Sequence, residues 1–222
     1  MNSYKLKNVS SIELNNLINE KLKKLRETNK ILNFIQIGAH DGVSYDDMAN
    51  LVLNKEDVGI FIEPIKIIFE RLKINKFDFK KSNFSNVAII PDETFESKIF
   101  YQDKVGGGGQ STFVSTIYNE NIHTIEYVNS ITVDEFMKNN VNFNIDIVFL
   151  DCEGYDHDII VNLIKYQTPN IIYFESWNVE NLNIAFKYKK FTTRDEILDL
   201  LSINGYEFVF ESTQENILAY KI

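Results

Sequence analysis

Four short apolar runs, "ILNFIQI" (31–37), "VGIFIE" (58–63), "IDIVFLD" (145–151) and "NIIYFES" (170–176), constrain the fold of this chain more than any other feature. Each is nearly continuous in hydrophobic residues, as a strand covered on both faces must be, and helical spacing fills the stretches between them. Tyr45 to Leu53, Ile65 to Asn75 and Tyr155 to Tyr166 are predicted as helices, and "SNFSNVAII" (82–90) and "SKIFYQ" (97–102) as two further strands. Strands alternating with helices predict an α/β fold: a doubly wound, mostly parallel sheet with helices on each side.

Three capping boxes mark helix starts, because a hydroxyl and a glutamate three residues on satisfy each other's free backbone N–H groups. They are Ser10 with Glu13, Thr132 with Glu135, and Thr193 with Glu196. Leu14, Leu17, Ile18, Leu22 and Leu25 then recur at helical spacing, so residues 1–30 are read as an N-terminal amphipathic helix on an α/β core of 31–222. The ending departs from the alternation. "YEFVFE" (206–211) and "NILAYKI" (216–222) are joined only by "STQE", which allows an antiparallel hairpin and no crossover.

At 222 residues the chain is expected to form one domain. A formal net charge of −9 repels a polyphosphate backbone, and no basic stripe interleaved with aromatics is read as offsetting it, so nucleic acid is not an expected partner. The apolar runs fall short of the roughly 20 residues that span a bilayer, and the N-terminus lacks the pattern of a secretory signal. The single cysteine, Cys152, suits a reducing compartment. A cytoplasmic protein without a membrane partner is expected; oligomeric state does not follow from these residues.

Ligands of parallel sheets bind outside the carboxyl ends of the strands. The first strand ends in Gly38-Ala39-His40-Asp41-Gly42, which is either a tight turn or a backbone loop made to approach a ligand. The second ends in Glu63, about 20 residues past the turn, where a carboxylate can accept both hydroxyls of a ribose. Together they point to an adenosine-containing cofactor. The strand at 145–151 ends in "DCEGYDHD", four carboxylates and a histidine within eight residues. Charges this dense belong to a solvated site or a ligand, which singles out Asp151 and Glu153. Asp156 and Asp158 suit a helix start instead. His157 is a base, a metal ligand or a first-turn surface residue, and Cys152 a small core thiol. The acid spacing matches no metal signature, and no metal is predicted.

"DKVGGGGQSTFVST" lacks the Gly-Lys-Ser/Thr ending of a phosphate loop. It is either a surface loop or a lid in which Gln110, Ser111 and Thr112 bond a polar substrate. Trp177, which closes the strand at 170–176 on the same edge, either stacks on a sugar ring or covers the core, and Glu175 and Asn178 share that ambiguity.

The succession IQIGAHDG, FIEP, NVAI, SITVDEF and IVFLDCEGYD resembles the FkbM-type methyltransferases, a branch of the class I methyltransferases that depend on S-adenosylmethionine (SAM). The resemblance implies a seven-stranded Rossmann-like sheet closed by the antiparallel hairpin. It implies that Gly38, Ala39, His40, Asp41 and Gly42 face the methionine part of SAM, Glu63 the ribose, Asn86 the adenine and Asp151 the amino end. Where the family usually carries an acid, two residues before the first glycine, this chain has Gln36. For the chemistry, Glu153, His157 and Asp151 are the candidate catalytic residues, with His40 and His123 as further possible bases. The expected function is methyl transfer from SAM to a hydroxyl of a small molecule or glycan. The rivals are a non-catalytic cofactor- or glycan-binding protein and a nicotinamide-dependent oxidoreductase.

Overall fold

The computed structural model describes residues 7–44, 52–92, 99–103, 121, 123–152, 154–176, 191–211 and 215–221. A short strand, β1 (Lys7–Val9), leads into α1 (Ser11–Thr28). The helix starts where the sequence predicts: Ser10 Oγ accepts the Glu13 N–H and a Glu13 carboxylate oxygen accepts the Ser10 N–H. Its stripe of Leu14, Ile18, Leu22 and Leu25 is buried, each side chain contributing about 1.5–3 kcal/mol by leaving water.

The strands that follow alternate their side chains between two cores. In β2 (Asn33–Ile37) Phe34 points to the α1 side, while Ile35 and Ile37 point to the other. The same alternation runs through β3 (Val58–Ile62), where Phe61 joins the α1 side and Ile60 and Ile62 the opposite one. Helix α2 (Lys66–Asn75) follows β3 and buries Ile68, Phe69 and Leu72. Next come β4 (Asn83–Ser85), β5 (Ala88–Ile90), β6 (Ile99–Asp103), β7 (His123–Tyr127) and β8 (Ser130–Thr132). Helix α3 (Val133–Asn140), strand β9 (Ile147–Leu150), helix α4 (Asp156–Leu163), strand β10 (Ile171–Glu175) and helix α5 (Arg194–Ile203) complete the crossovers. Helices α3, α4 and α5 supply Phe136, Ile159, Ile160, Ile197 and Leu201 to the core opposite α1. Helices thus cover both faces, as the near-continuous apolar strands require.

Eight strands form the main sheet in the order β1-β11-β12-β10-β9-β2-β3-β4, with β11 (Glu207–Glu211) and β12 (Asn216–Tyr220) as the terminal hairpin. Strand β12 runs antiparallel to both neighbours, pairing Ile171 with Tyr220 and Glu207 with Tyr220. The remaining pairs are parallel. Strand order reverses between β9 and β2, which makes their carboxyl ends the topological switch point. Among the described residues no helix is long and apolar enough to cross a membrane.

Four sequence expectations need adjustment. The sheet has one strand more than seven, because the three residues of β1 add to β11; a run that short carries no readable period. The single strand expected over 82–90 is two. Asn86 donates to the carbonyls of Glu63 and Pro64, both at 2.9 Å, and bends the chain so that β4 stays on β3 while β5 leaves to pair with β8. Between the strand expected over 97–102 and α3, where the sequence reading names no strand, the chain forms β7 and β8. At Thr132 only the forward half of the capping box, Glu135 N–H to Thr132 Oγ1 at 3.1 Å, is present among the described residues. The helix expected over 45–53 lies, apart from its last two residues, outside the described residues.

Candidate active site

The strand order sets four sequence-predicted residues in one row. Each strand end is bonded to the next through the backbone: the Asp151 N–H to Ile37 O at 3.0 Å, the Gly38 N–H to Ile62 O at 3.0 Å, and the Glu63 N–H to Ser85 O at 3.1 Å. Asp151, Gly38, Glu63 and Asn86 therefore follow one another along the carboxyl edge of β9, β2, β3 and β4. Three strand spacings separate the ends of that row, about 14 Å. Residue 175 continues it on the other side, since β10 pairs Phe174 with Leu150 of β9.

The turn after β2 is left-handed at Gly38 (φ 78°), His40 (φ 47°) and Gly42 (φ 75°). Its glycines have an internal reason. A Cβ on Gly38 would lie 1.9 Å from the Asp151 carbonyl oxygen, and one on Gly42 would lie 2.8 Å from the Leu72 and Lys76 side chains. Both positions thus require glycine for the close approach of β2 to β9 and of the turn to α2, as well as for backbone sign. Ala39 is fully buried. Asp41 folds its carboxylate onto its own loop, accepting from Val43 N–H at 2.9 Å and Ser44 N–H at 2.7 Å. Burial would raise its pKa, but those backbone bonds, the Ser44 hydroxyl and the nearby His40 outweigh burial and lower it.

Glu63 is 4% exposed and accepts the His40 N–H at 3.0 Å and the Ile65 N–H at 2.8 Å. Burial is the main reason its pKa is raised to about 8; the two backbone bonds oppose the shift, and the charges of Asp151 and Glu126 add to it. Asp151 has a solvent-facing side, yet the protein packed around its carboxyl raises its pKa to about 6, against the opposing pull of His40. Asp156, buried at the first turn of α4, accepts the Cys152 N–H at 3.2 Å. Burial, then Glu175 and Asp151, push it well above the ordinary range. The carboxyl edge is thus crowded with acids, where Asp151 adds to the burial that raises the pKa of both Glu63 and Asp156, the kind of perturbation that marks functional sites.

His157, expected as a candidate base, is an interior brace. It is 3% exposed, with Nδ1 at 2.8 Å from Thr192 O and Nε2 at 2.9 Å from Ser176 Oγ. Arg194 Nε donates to the same hydroxyl at 2.9 Å, so Ser176 donates to Nε2 and the ring is neutral with its proton on Nδ1. Desolvation lowers its pKa to about 4, with Arg194 acting in the same sense and the Thr192 carbonyl against it. Neither ring nitrogen is left to take a substrate proton. Asp158 likewise holds Thr192, through its N–H at 3.1 Å and its hydroxyl at 2.6 Å.

Glu153, Gln110, Ser111, Thr112, Trp177 and Asn178 lie outside the described residues, as does the His123 side chain. Gln36 is buried on the α1 side of β2; an amide there avoids the cost of an interior charge. Sequence reasoning missed Glu126, whose charge reaches Glu63 from β7. Its signal, the alternation of "HTIEY", lies between the strand expected over 97–102 and the helix start at Thr132, where the sequence reading names no strand.

The residues present fit SAM: Glu63 is a buried acid whose oxygens can accept from a diol, and the row of acids at the strand ends can balance a cation. Among solved structures, the O-methyltransferase TomG from Streptomyces achromogenes, involved in tomaymycin synthesis and solved with SAM, is 10% identical; the match covers 98% of this chain and 92% of that one, with TM-score 0.45. An O-methyltransferase from Bacillus cereus, in complex with SAH, is 12% identical over 95% and 88% of the two chains, with TM-score 0.43. Precorrin-6y C5,15-methyltransferase from Geobacter metallireducens is 13% identical over 100% and 97%, with TM-score 0.45. No curated protein sequence matches the chain. The family model of the methyltransferase FkbM domain matches residues 36–208, most of the molecule and all of the strand ends just described, and the chain therefore belongs to the FkbM family of SAM-dependent methyltransferases.

Proposed function

We propose that this methyltransferase acts on a hydroxyl of a small molecule or glycan. In this reading Glu63 holds the ribose hydroxyls, the turn from Gly38 to Gly42 lies along the methionine part, Asn86 borders the adenine, and Asp151 stands between the amino end and the reacting atoms. SAM supplies, when bound, an electrophilic methyl group on a sulfonium. The chain's own task is to hold an acceptor oxygen in line with that group, keep water out and receive the hydroxyl proton.

Asp151 is the proposed base, with Glu153 beside it in the sequence. The observation that carries this reading is the acidic row itself: a carboxyl with one side open to solvent and a pKa raised to about 6 is matched to accepting a proton near neutral pH. The same row favours a hydroxyl over an amine acceptor. Crowded carboxylates hold an amine as ammonium, which has no lone pair to attack with, whereas a hydroxyl enters neutral.

Two measurements test the proposal. Calorimetric titration should show binding of S-adenosylhomocysteine and none of NAD. Release of S-adenosylhomocysteine from SAM should then accompany sugar nucleotides with free hydroxyls and be slower with matched amino sugars; turnover confined to the amines overturns the hydroxyl reading. Asp151→Asn should lower kcat by about 10²–10⁴-fold.

A further inference from the structure

Charge is unevenly spread over this acidic chain. Residues 66–81 carry six basic and two acidic side chains, within a molecule whose formal net charge is −9. The segment is α2 with the turn that follows it. Ile68, Phe69 and Leu72 face the core, but Ile67 and Ile74 are 60% and 70% exposed, and Phe77 just past the helix is 72% exposed. Seven residues make nearly two full turns, so Ile67 and Ile74 share one outward stripe, about 10 Å apart along the axis. Lys66 and Lys73, also seven apart, flank the stripe on one side and Arg71 on the other; all three are exposed, as are Lys80 and Lys81. The acids of this surface are paired locally: Glu70 with Lys73 at 3.0 Å, Glu56 with Lys81 at 2.8 Å, and Asp78 with Lys55.

From this geometry we infer that the outer face of α2 and its following turn form a docking surface for an anionic lipid membrane. An apolar crest flanked by cations on both sides is the arrangement that lies in a bilayer interface, with aliphatic and aromatic tips among the acyl chains and Lys and Arg at the headgroups. A bilayer receives a convex ridge without a matching groove. An acidic protein would need such a groove, and a nucleic acid would leave the exposed Ile67 and Ile74 between the cations and its phosphates. The inference departs from the expectation of no membrane partner, which rested on the lack of a spanning segment and on net charge over the whole chain. Because α2 begins three residues after Glu63, docking also brings the candidate active site close to the headgroup layer.

Co-sedimentation of the full chain with phosphatidylcholine vesicles, with and without phosphatidylglycerol, tests this. Binding should require phosphatidylglycerol and weaken strongly when salt is raised to about 0.5 M. The paired substitutions Lys66→Glu with Arg71→Glu, and separately Ile67→Ser with Ile74→Ser, should each lower the partition coefficient by about tenfold or more. S-adenosylhomocysteine binding by calorimetry should be unchanged in both, which shows that the variants are folded. No binding to anionic vesicles at low salt, equal binding by the serine variant, or stronger retention on polyglutamate or double-stranded DNA than on vesicles would each overturn the assignment.

Discussion

At the amino end of the main sheet Asp57 is fully buried and accepts four hydrogen bonds, two from Arg26 at 3.0 and 2.7 Å, one from the Leu32 N–H and one from the Asn54 N–H. At the carboxyl end of the same strand Glu63 is buried almost as completely and accepts two. Asp146, which precedes β9, repeats the first pattern with Asn29, Asn170 and the Asn33 N–H as donors. Asp151, at the other end of β9, differs from Asp146 in another way: it keeps a solvent-facing side, and the protein packed around its carboxyl raises its pKa. The amino-end acids are fastenings whose charge is neutralised by donors built into the fold. The carboxyl-end acids lie within electrostatic reach instead, Asp151 adding its charge to the burial that raises Glu63 and Asp156.

That contrast sets the expected sizes of perturbations. Asp57→Ala should be the most damaging, about 3–5 kcal/mol in urea unfolding, because it leaves the partly buried Arg26 without its partner; a loss below about 1 kcal/mol would erase the distinction between the two ends. Glu63→Gln keeps the side chain neutral, as burial favours, but turns its NH2 toward one of the two backbone N–H donors, so it should cost about 1–2 kcal/mol of unfolding stability at pH 7. It should weaken S-adenosylhomocysteine binding by about 30–100-fold, or 2–3 kcal/mol, by calorimetry. Were stability to drop as far as in Asp57→Ala and affinity to hold, Glu63 would be a fastening too.

His157→Gln should cost about 1–2 kcal/mol of stability by removing the bridge between Thr192 and Ser176, without shifting the pH profile of kcat/KM. A shifted profile would return this histidine to the chemistry. The smallest effect should appear in melting temperature against pH. The Glu63 carboxyl is raised from 4.5 to about 8 in the folded chain, so the stability it lends is complete below the ordinary value and is lost as pH rises through about 8. Compared with Glu63→Gln, the natural protein should therefore lose about 2–3 °C between pH 7.5 and 9, and S-adenosylhomocysteine should restore the difference. A gap that stays constant with pH would show that Glu63 is ionised throughout.

Part of this edge is readable before any coordinates. Gly38, Glu63 and Asp151 each end an apolar run, and residues that end parallel strands gather at one edge whatever the strand order; Asn86 lies inside the single strand expected over 82–90, and only the bend between β4 and β5 brings it to that edge. His157 was not readable in the same way. The partners that silence it, Ser176 and Thr192, lie 19 and 35 residues away, and no local pattern announces them. The Gly38 requirement is similar: a glycine after a strand signals a turn, but only the 1.9 Å approach of the Asp151 carbonyl shows what the missing side chain makes room for. The basic face of α2 was hidden by averaging, because a net charge summed over 222 residues cancels a patch of 16.

Strand period, helix caps and the short closing hairpin were determined by the sequence alone, since each depends on interactions within a few residues and would arise in almost any tertiary setting. The tertiary structure decided which carboxylates meet donors and which meet one another. Solvation and charge act through space, so Asp57 and Glu63, six residues apart on one strand, come to opposite electrostatic ends because β3 spans the sheet from a donor-rich edge to an acidic one.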